Sequence, residues 1–167
     1  ASNSGSLLAR GNNTGESGGT ISVTSRNVLL TSTAVADASG MSGGGNVFIG
    51  GNYQGHGPLA NAQNTYVAQG AQIKADALDS GNGGQVVVWA DGNTAYAGNL
   101  SARGGPNGGD GGKVEVSGKQ YLDFNGVVNT TAPMGQTGTL LLDPTDIDIV
   151  AGASGTGAYD ASGAFIG

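Results

Sequence analysis

Five short alternations of polar and apolar residues punctuate the chain, and each is entered through glycine. Thr20-Ile21-Ser22-Val23 follows Gly18-Gly19, and Asn46-Val47-Phe48-Ile49 follows Gly44-Gly45. Gln85-Val86-Val87-Val88 follows Gly83-Gly84, and Lys113-Val114-Glu115-Val116 follows Gly111-Gly112. Thr139-Leu140-Leu141-Leu142 follows the single Gly138. The bursts begin at 20, 46, 85, 113 and 139, at intervals of 26, 39, 28 and 26. Three intervals agree within two residues, and the fourth reads as one repeat plus about 12 inserted residues.

A second burst keeps the same register. Val35, Leu100 and Val128 each stand 15 residues after the start of their first burst, and Ile73 stands 27 after its own. The insertion therefore falls between the two bursts, near 53–65, in a stretch rich in Gly, Pro, Asn and Gln that reads as a loop. Leu7-Leu8-Ala9-Arg10-Gly11 parallels Leu100-Ser101-Ala102-Arg103-Gly104 and marks an earlier, truncated repeat.

Residues i and i+2 of a strand share a face. The pairs Ile21/Val23, Val47/Ile49, Val86/Val88, Val114/Val116 and Leu140/Leu142 are expected to point inward, as are Ile73/Ala75 and Leu100/Ala102. One such coil cannot bury its apolar face alone, and stacking coils makes a continuous core. The pattern predicts an all-β parallel solenoid with coils of about 26–28 residues, each holding about three short strands. At roughly 4.8 Å per coil the covered region would extend about 25–30 Å. The recurring glycine pairs are expected at stacked corners, where positive φ or close backbone approach is needed.

Composition supports this architecture. There are 34 glycines in 167 residues, yet no collagen period. Charged residues make up 11% and the net charge is −6, with no basic stripe, so nucleic acid is not an expected partner. Cysteine is absent, which excludes disulfides and thiolate metal sites. No apolar run is long enough to cross a membrane as a helix, and no membrane insertion is expected. No signal peptide is visible, and the sequence starts in mid-pattern, as an excised or processed piece would. Residues 1–150 are read as solenoid, and 151–167 as a linker or partial further coil.

Candidate chemistry is sparse, and no catalytic group, metal or cofactor is expected. His56, the lone histidine, lies in the inserted loop and lacks companion ligands for zinc. Asp143, Asp146 and Asp148 could present oxygens to calcium, but Asp143-Pro144-Thr145 reads more simply as a turn. Asp76, Asp79 and Asp91, with Lys74, are scattered around one repeat and do not oppose one another as glycoside hydrolysis requires. Trp89 should face outward if Val86 and Val88 face in, and Tyr96, opposite Ala95 and Ala97, is a candidate for an outer face that the alternation alone leaves open. Trp89, Tyr96, Tyr53 and His56 are the candidate contacts for a carbohydrate or a partner surface.

The run Gly138-Thr139-Leu140-Leu141-Leu142-Asp143-Pro144-Thr145-Asp146-Ile147 resembles large bacterial exoproteins of the filamentous haemagglutinin type, secreted by the two-partner route. Gly84-Gln85-Val86-Val87-Val88-Trp89-Ala90 and Leu100-Ser101-Ala102-Arg103-Gly104-Gly105 are similar in style. The resemblance covers about Leu7 to Val150. It implies a right-handed parallel β-helix in a secreted or cell-surface protein serving adhesion, aggregation or biofilm cohesion. The implied partners are other copies or flanking repeats, surface glycans or proteins, and an outer-membrane transporter during export. No stretch matches the family's amino-terminal secretion domain, so an internal segment of a structural stalk is expected. A self-assembling filament subunit and a carbohydrate-binding solenoid are the alternatives.

Overall fold

The computed structural model describes residues 1–143 and the backbone of two short strands at 158–159 and 165–166. The first coil comprises β1 (Ser2–Asn3), β2 (Ser6–Leu8) and β3 (Thr20–Val23). The second comprises β4 (Asn27–Leu30), β5 (Val35–Asp37) and β6 (Asn46–Ile49). A 3-10 turn at Tyr53–Gly55 precedes the third coil, β7 (Asn64–Val67), β8 (Gln72–Lys74) and β9 (Gln85–Ala90). The fourth is β10 (Asn93–Tyr96), β11 (Asn99–Ser101) and β12 (Lys113–Gly118). The fifth is β13 (Tyr121–Phe124), β14 (Val127–Asn129) and β15 (Thr139–Leu141). β16 (Ala158–Tyr159) and β17 (Phe165–Ile166) pair antiparallel. The rest of the segment 151–167, with Asp146 and Asp148, lies outside the described residues.

Every third strand stacks on the one before. β1-β4-β7-β10-β13 form sheet I, β2-β5-β8-β11-β14 form sheet II and β3-β6-β9-β12-β15 form sheet III. All the pairings within these sheets are parallel. The fold is an all-β parallel solenoid, as the repeat requires. Its core is the triangular interior onto which each sheet turns one face.

Sheet III is the sheet the glycine-led bursts announce. Its partners Thr20, Asn46, Gln85, Lys113 and Thr139 are in register from coil to coil. Val47, Ile49, Val86, Val88 and Val116 are fully buried, and Ile21 and Val114 nearly so. Val23 and Leu142 are partly buried against this core. Leu140 is the register partner of Val114 and so keeps its expected inward column, and it is 41% exposed because it lies on the last described coil.

In sheet II the inward column is Leu7, Ala36, Ile73, Leu100 and Val128. Val35 therefore falls one residue out of the expected register. It pairs with Gln72 and is only half-buried, while Ala36 is fully buried. A one-residue slip exchanges the faces of a strand.

Sheet I is the set of strands that the two bursts leave unlocated. Its inward columns read Val28-Thr65-Thr94-Leu122 and Leu30-Val67-Tyr96-Phe124. Tyr96 is 1% exposed, stacks on Phe124 at 5.4 Å and donates its hydroxyl to Val127 O at 3.3 Å. Its candidate outer position is thus corrected, and Ala95 is the residue that faces out. The buried hydroxyls of Thr65 and Thr94 donate to Trp89 O (2.7 Å) and Ser117 O (2.8 Å), which offsets the cost of placing polar groups inside.

The glycine pairs stack at the corner between sheets II and III. A Cβ on Gly84 would lie 1.9 Å from Gly45 O, and one on Gly112 would lie 2.1 Å from Gly84 O. The amides of Gly84 and Gly112 donate back across the corner to Ala75 O (2.7 Å) and Ala102 O (2.8 Å). None of the paired glycines has positive φ, so close approach of two backbones is what excludes a side chain here.

Candidate functional site

The inserted residues leave sheet III after Ile49 and rejoin the solenoid at β7, so Asn64 and Thr65 belong to a strand and not to the expected loop. The intervening chain folds back over the outer face of sheet III. Gly50 supplies the positive φ (84°) for the exit, and Gln54 sits in the left-handed region at φ 51°, ψ 27°. Gln54 is the one non-glycine residue with positive φ among the described residues. Such strain persists where surrounding contacts fix the backbone.

Those contacts are present. The Gln54 amide donates to Glu115 Oε2 at 2.8 Å, and its side-chain Nε2 reaches Asp143 Oδ2 at 3.5 Å. Trp89 does face away from the core, as its place between Val88 and Ala90 requires. Its ring is nonetheless covered, at 4% exposure, because Gly51 and Gly55 lie directly on it. A Cβ on Gly55 would stand 2.7 Å from Trp89 Cζ2. Trp89 Nε1 donates to Asp91 Oδ1 at 3.0 Å, and the same oxygen accepts Asn61 Nδ2 at 3.0 Å. Asn61 Nδ2 also donates to Gly55 O at 2.9 Å within the loop, so this one side chain links the turn over Trp89 to Asp91, next to the end of β9.

The covered face includes one group in an unfavourable setting. Glu115 alternates outward from Val114 and Val116, yet it is fully buried beneath the loop. Its Oε1 has no hydrogen-bond partner. Burial pushes its carboxyl above the usual range, the Gln54 amide and Ser117 pull it down, and the nearby Asp143 pushes it up again. Beside it, a cleft of about 510 Å³ opens among Gln54, His56, Asn61, Asp91, Lys119 and Asp143.

The four sequence-derived contact residues do not form one surface. Tyr53 is 43% exposed at the tip of the turn, and His56 is exposed at the cleft. Trp89 is buried beneath them and Tyr96 lies in the core on sheet I. Neither buried ring offers a face to a ligand.

The carboxylates also disperse. Asp76, 3% exposed, accepts from Ser101 Oγ (2.9 Å), Arg103 N (2.8 Å) and Arg103 Nη2 (2.9 Å), and this pairing raises the guanidinium's pKa. Asp79 accepts from Asn107 at 2.8 Å on the corner loops. No group of three or more His, Asp or Glu that could hold a metal occurs among the described residues. Nor is any helix among them long and apolar enough to cross a membrane.

Fold and surface together define a three-sheet parallel β-solenoid with one sheet face covered by an inserted loop. No protein-family model matches the chain, and no curated protein does. Among solved structures it is similar to the HMW1 secretion domain from Haemophilus influenzae, at 30% identity and a TM-score of 0.62. The match covers 79% of this chain and 34% of that one, so the chain spans about a third of that structure's length. The solenoid is thus related to a bacterial secretion domain, whereas the motifs alone pointed to an internal repeat block.

Proposed function

We propose that this chain is a structural, adhesive segment of a large bacterial protein exported to the cell surface or the medium. The observation that carries this reading is the unbroken register of five coils in three sheets, together with the 30% identity to a secretion domain over 79% of the chain. Stacked coils transmit length and stiffness without needing a reactive centre. The Gly-Thr-Leu-Leu-Leu-Asp-Pro-Thr run supports membership of the filamentous haemagglutinin-type exoproteins, and the solenoid would belong to an adhesin or a biofilm matrix protein. An outer-membrane transporter would then be its partner during export, and flanking repeats its neighbours afterwards.

A spacer must tolerate changes of length that respect the repeat. Removing residues 20–45 from the whole exported protein deletes one repeat of 26 residues and joins Gly19 to Asn46, which occupies the same register position as Thr20. Removing residues 20–32 deletes half of it and shifts every later strand out of phase. The whole-repeat deletion should be exported and support cell aggregation like the parent, and the half-repeat deletion should be degraded or retained. Loss of aggregation by an exported, folded whole-repeat variant would contradict a structural role.

A further inference from the structure

Among the described residues, sheet I presents an outer face on which two exposed aromatic rings, Tyr66 and Tyr121, stand on strands. Its outward residues form two columns. Asn27, Asn64, Asn93 and Tyr121 are register partners, as are Leu29, Tyr66, Ala95 and Asp123. Tyr66 is 49% and Tyr121 60% exposed. Between them, over Ala95, lies a groove of about 470 Å³. The asparagines form a ladder, with Asn64 Nδ2 donating to Asn27 Oδ1 (2.9 Å) and Asn93 Nδ2 to Asn64 Oδ1 (3.1 Å).

We propose that this groove binds an unbranched, uncharged oligosaccharide, with sugar rings lying on Tyr66 and Tyr121 and hydroxyls meeting the Asn93 amide oxygen and the Asp123 carboxylate. The C–H face of a pyranose is apolar and fits an aromatic ring, while its rim hydroxyls need planar polar partners at fixed spacing. The ladder holds the amides in one orientation, so little freedom is lost on binding. The two tyrosines are attached two strands apart in the sheet and offset by two residues along the strand direction, roughly 12 Å on the diagonal. That separation suits a short oligosaccharide better than one sugar.

Other occupants fit less well. Strand backbones within the sheet are paired coil to coil, so a peptide finds no strand edge on this face to extend. Asp123 is the only charged residue among the outward positions of β4, β7, β10 and β13, and the chain carries −6 overall, which disfavours nucleic acid and a second acidic copy alike. The assignment goes beyond the structural role and does not depend on export, which cell fractionation reads separately.

The test is isothermal titration of the full chain with chitohexaose and cellohexaose, and with a heparin hexasaccharide as the charged control. At least one neutral hexasaccharide should bind, and heparin should not. Tyr66→Ala and Tyr121→Ala should each weaken binding roughly tenfold, the loss expected of one stacked ring. Tyr53→Ala, on the loop over sheet III, should leave it unchanged. Ala95→Tyr fills the groove from a surface position and should abolish binding, which keeps the test decisive should a tyrosine truncation unfold its coil. The assignment is overturned if neither neutral hexasaccharide binds, or if Ala95→Tyr binds like the parent. It is equally overturned if sedimentation shows a dimer that Tyr66→Ala disperses, because a second copy would then occupy the face.

Discussion

Glu115→Gln should make the protein more stable at neutral pH and flatten its response to pH. The carboxyl is fully buried, has one oxygen without a partner and sits near Asp143, so its pKa is raised above the usual 4.5, mainly by burial. A raised folded pKa means that the folded state holds the proton more tightly than the unfolded state. The stabilisation is complete below the ordinary carboxylate value and is lost as pH rises through the folded value. A buried carboxylate short of a hydrogen-bond partner costs about 1–3 kcal/mol in its charged form, and the amide removes that charge while its oxygen still accepts from Gln54. At roughly 2–4 °C per kcal/mol for a chain of this size, the gain near pH 7 should be about 2–12 °C. Thermal melts of both proteins, followed by circular dichroism from about pH 4 to about pH 8, measure it. The parent should lose stability across this range relative to Glu115→Gln, and the two should converge at the acid end. Parallel pH profiles, or a less stable variant at pH 7, would refute this account of the loop contact.

Three further outcomes follow from the packing. Gly84→Ala places a methyl 1.9 Å from Gly45 O and should cost about 2 kcal/mol or more, whereas Gly5→Ala, with nothing within 4 Å, should be nearly neutral by urea denaturation. Trp89→Ala should cost about 3–5 kcal/mol and open the loop, seen as new cleavage between residues 50 and 63 in limited proteolysis. Asp76→Ala should destabilise more than Arg103→Ala in thermal melts, because Asp76 is buried and takes three donors while the Arg103 side chain is half-exposed.

Much of the fold is legible in the sequence because the solenoid repeats one corner. The glycine pairs mark where two backbones meet, so the starts of all five sheet III strands coincide with the bursts at 20, 46, 85, 113 and 139. Sheet II is legible to within one residue at Val35, where Ala36 carries the inward position with a side chain too small to stand out. Sheet I is not, since Thr65, Thr94 and Tyr96 occupy inward places and only their hydrogen bonds inside the coil make them acceptable there. The site is less legible still. Alternation correctly turns Trp89 and Glu115 outward, but their burial comes from a loop more than thirty residues earlier in the chain. That an inserted segment exists can be counted from the intervals; which sheet it covers depends on the turn at Gln54.

Export is the claim on which the functional reading rests, and the absence of cysteine from this chain gives it a clean test. Gln72 is exposed on the outer face of sheet II, so Gln72→Cys introduces a thiol reporter there without touching the core. Intact cells producing the whole protein with this substitution should be labelled at the segment by a membrane-impermeant maleimide. Labelling that appears only after the cells are lysed would place the solenoid inside and contradict the account.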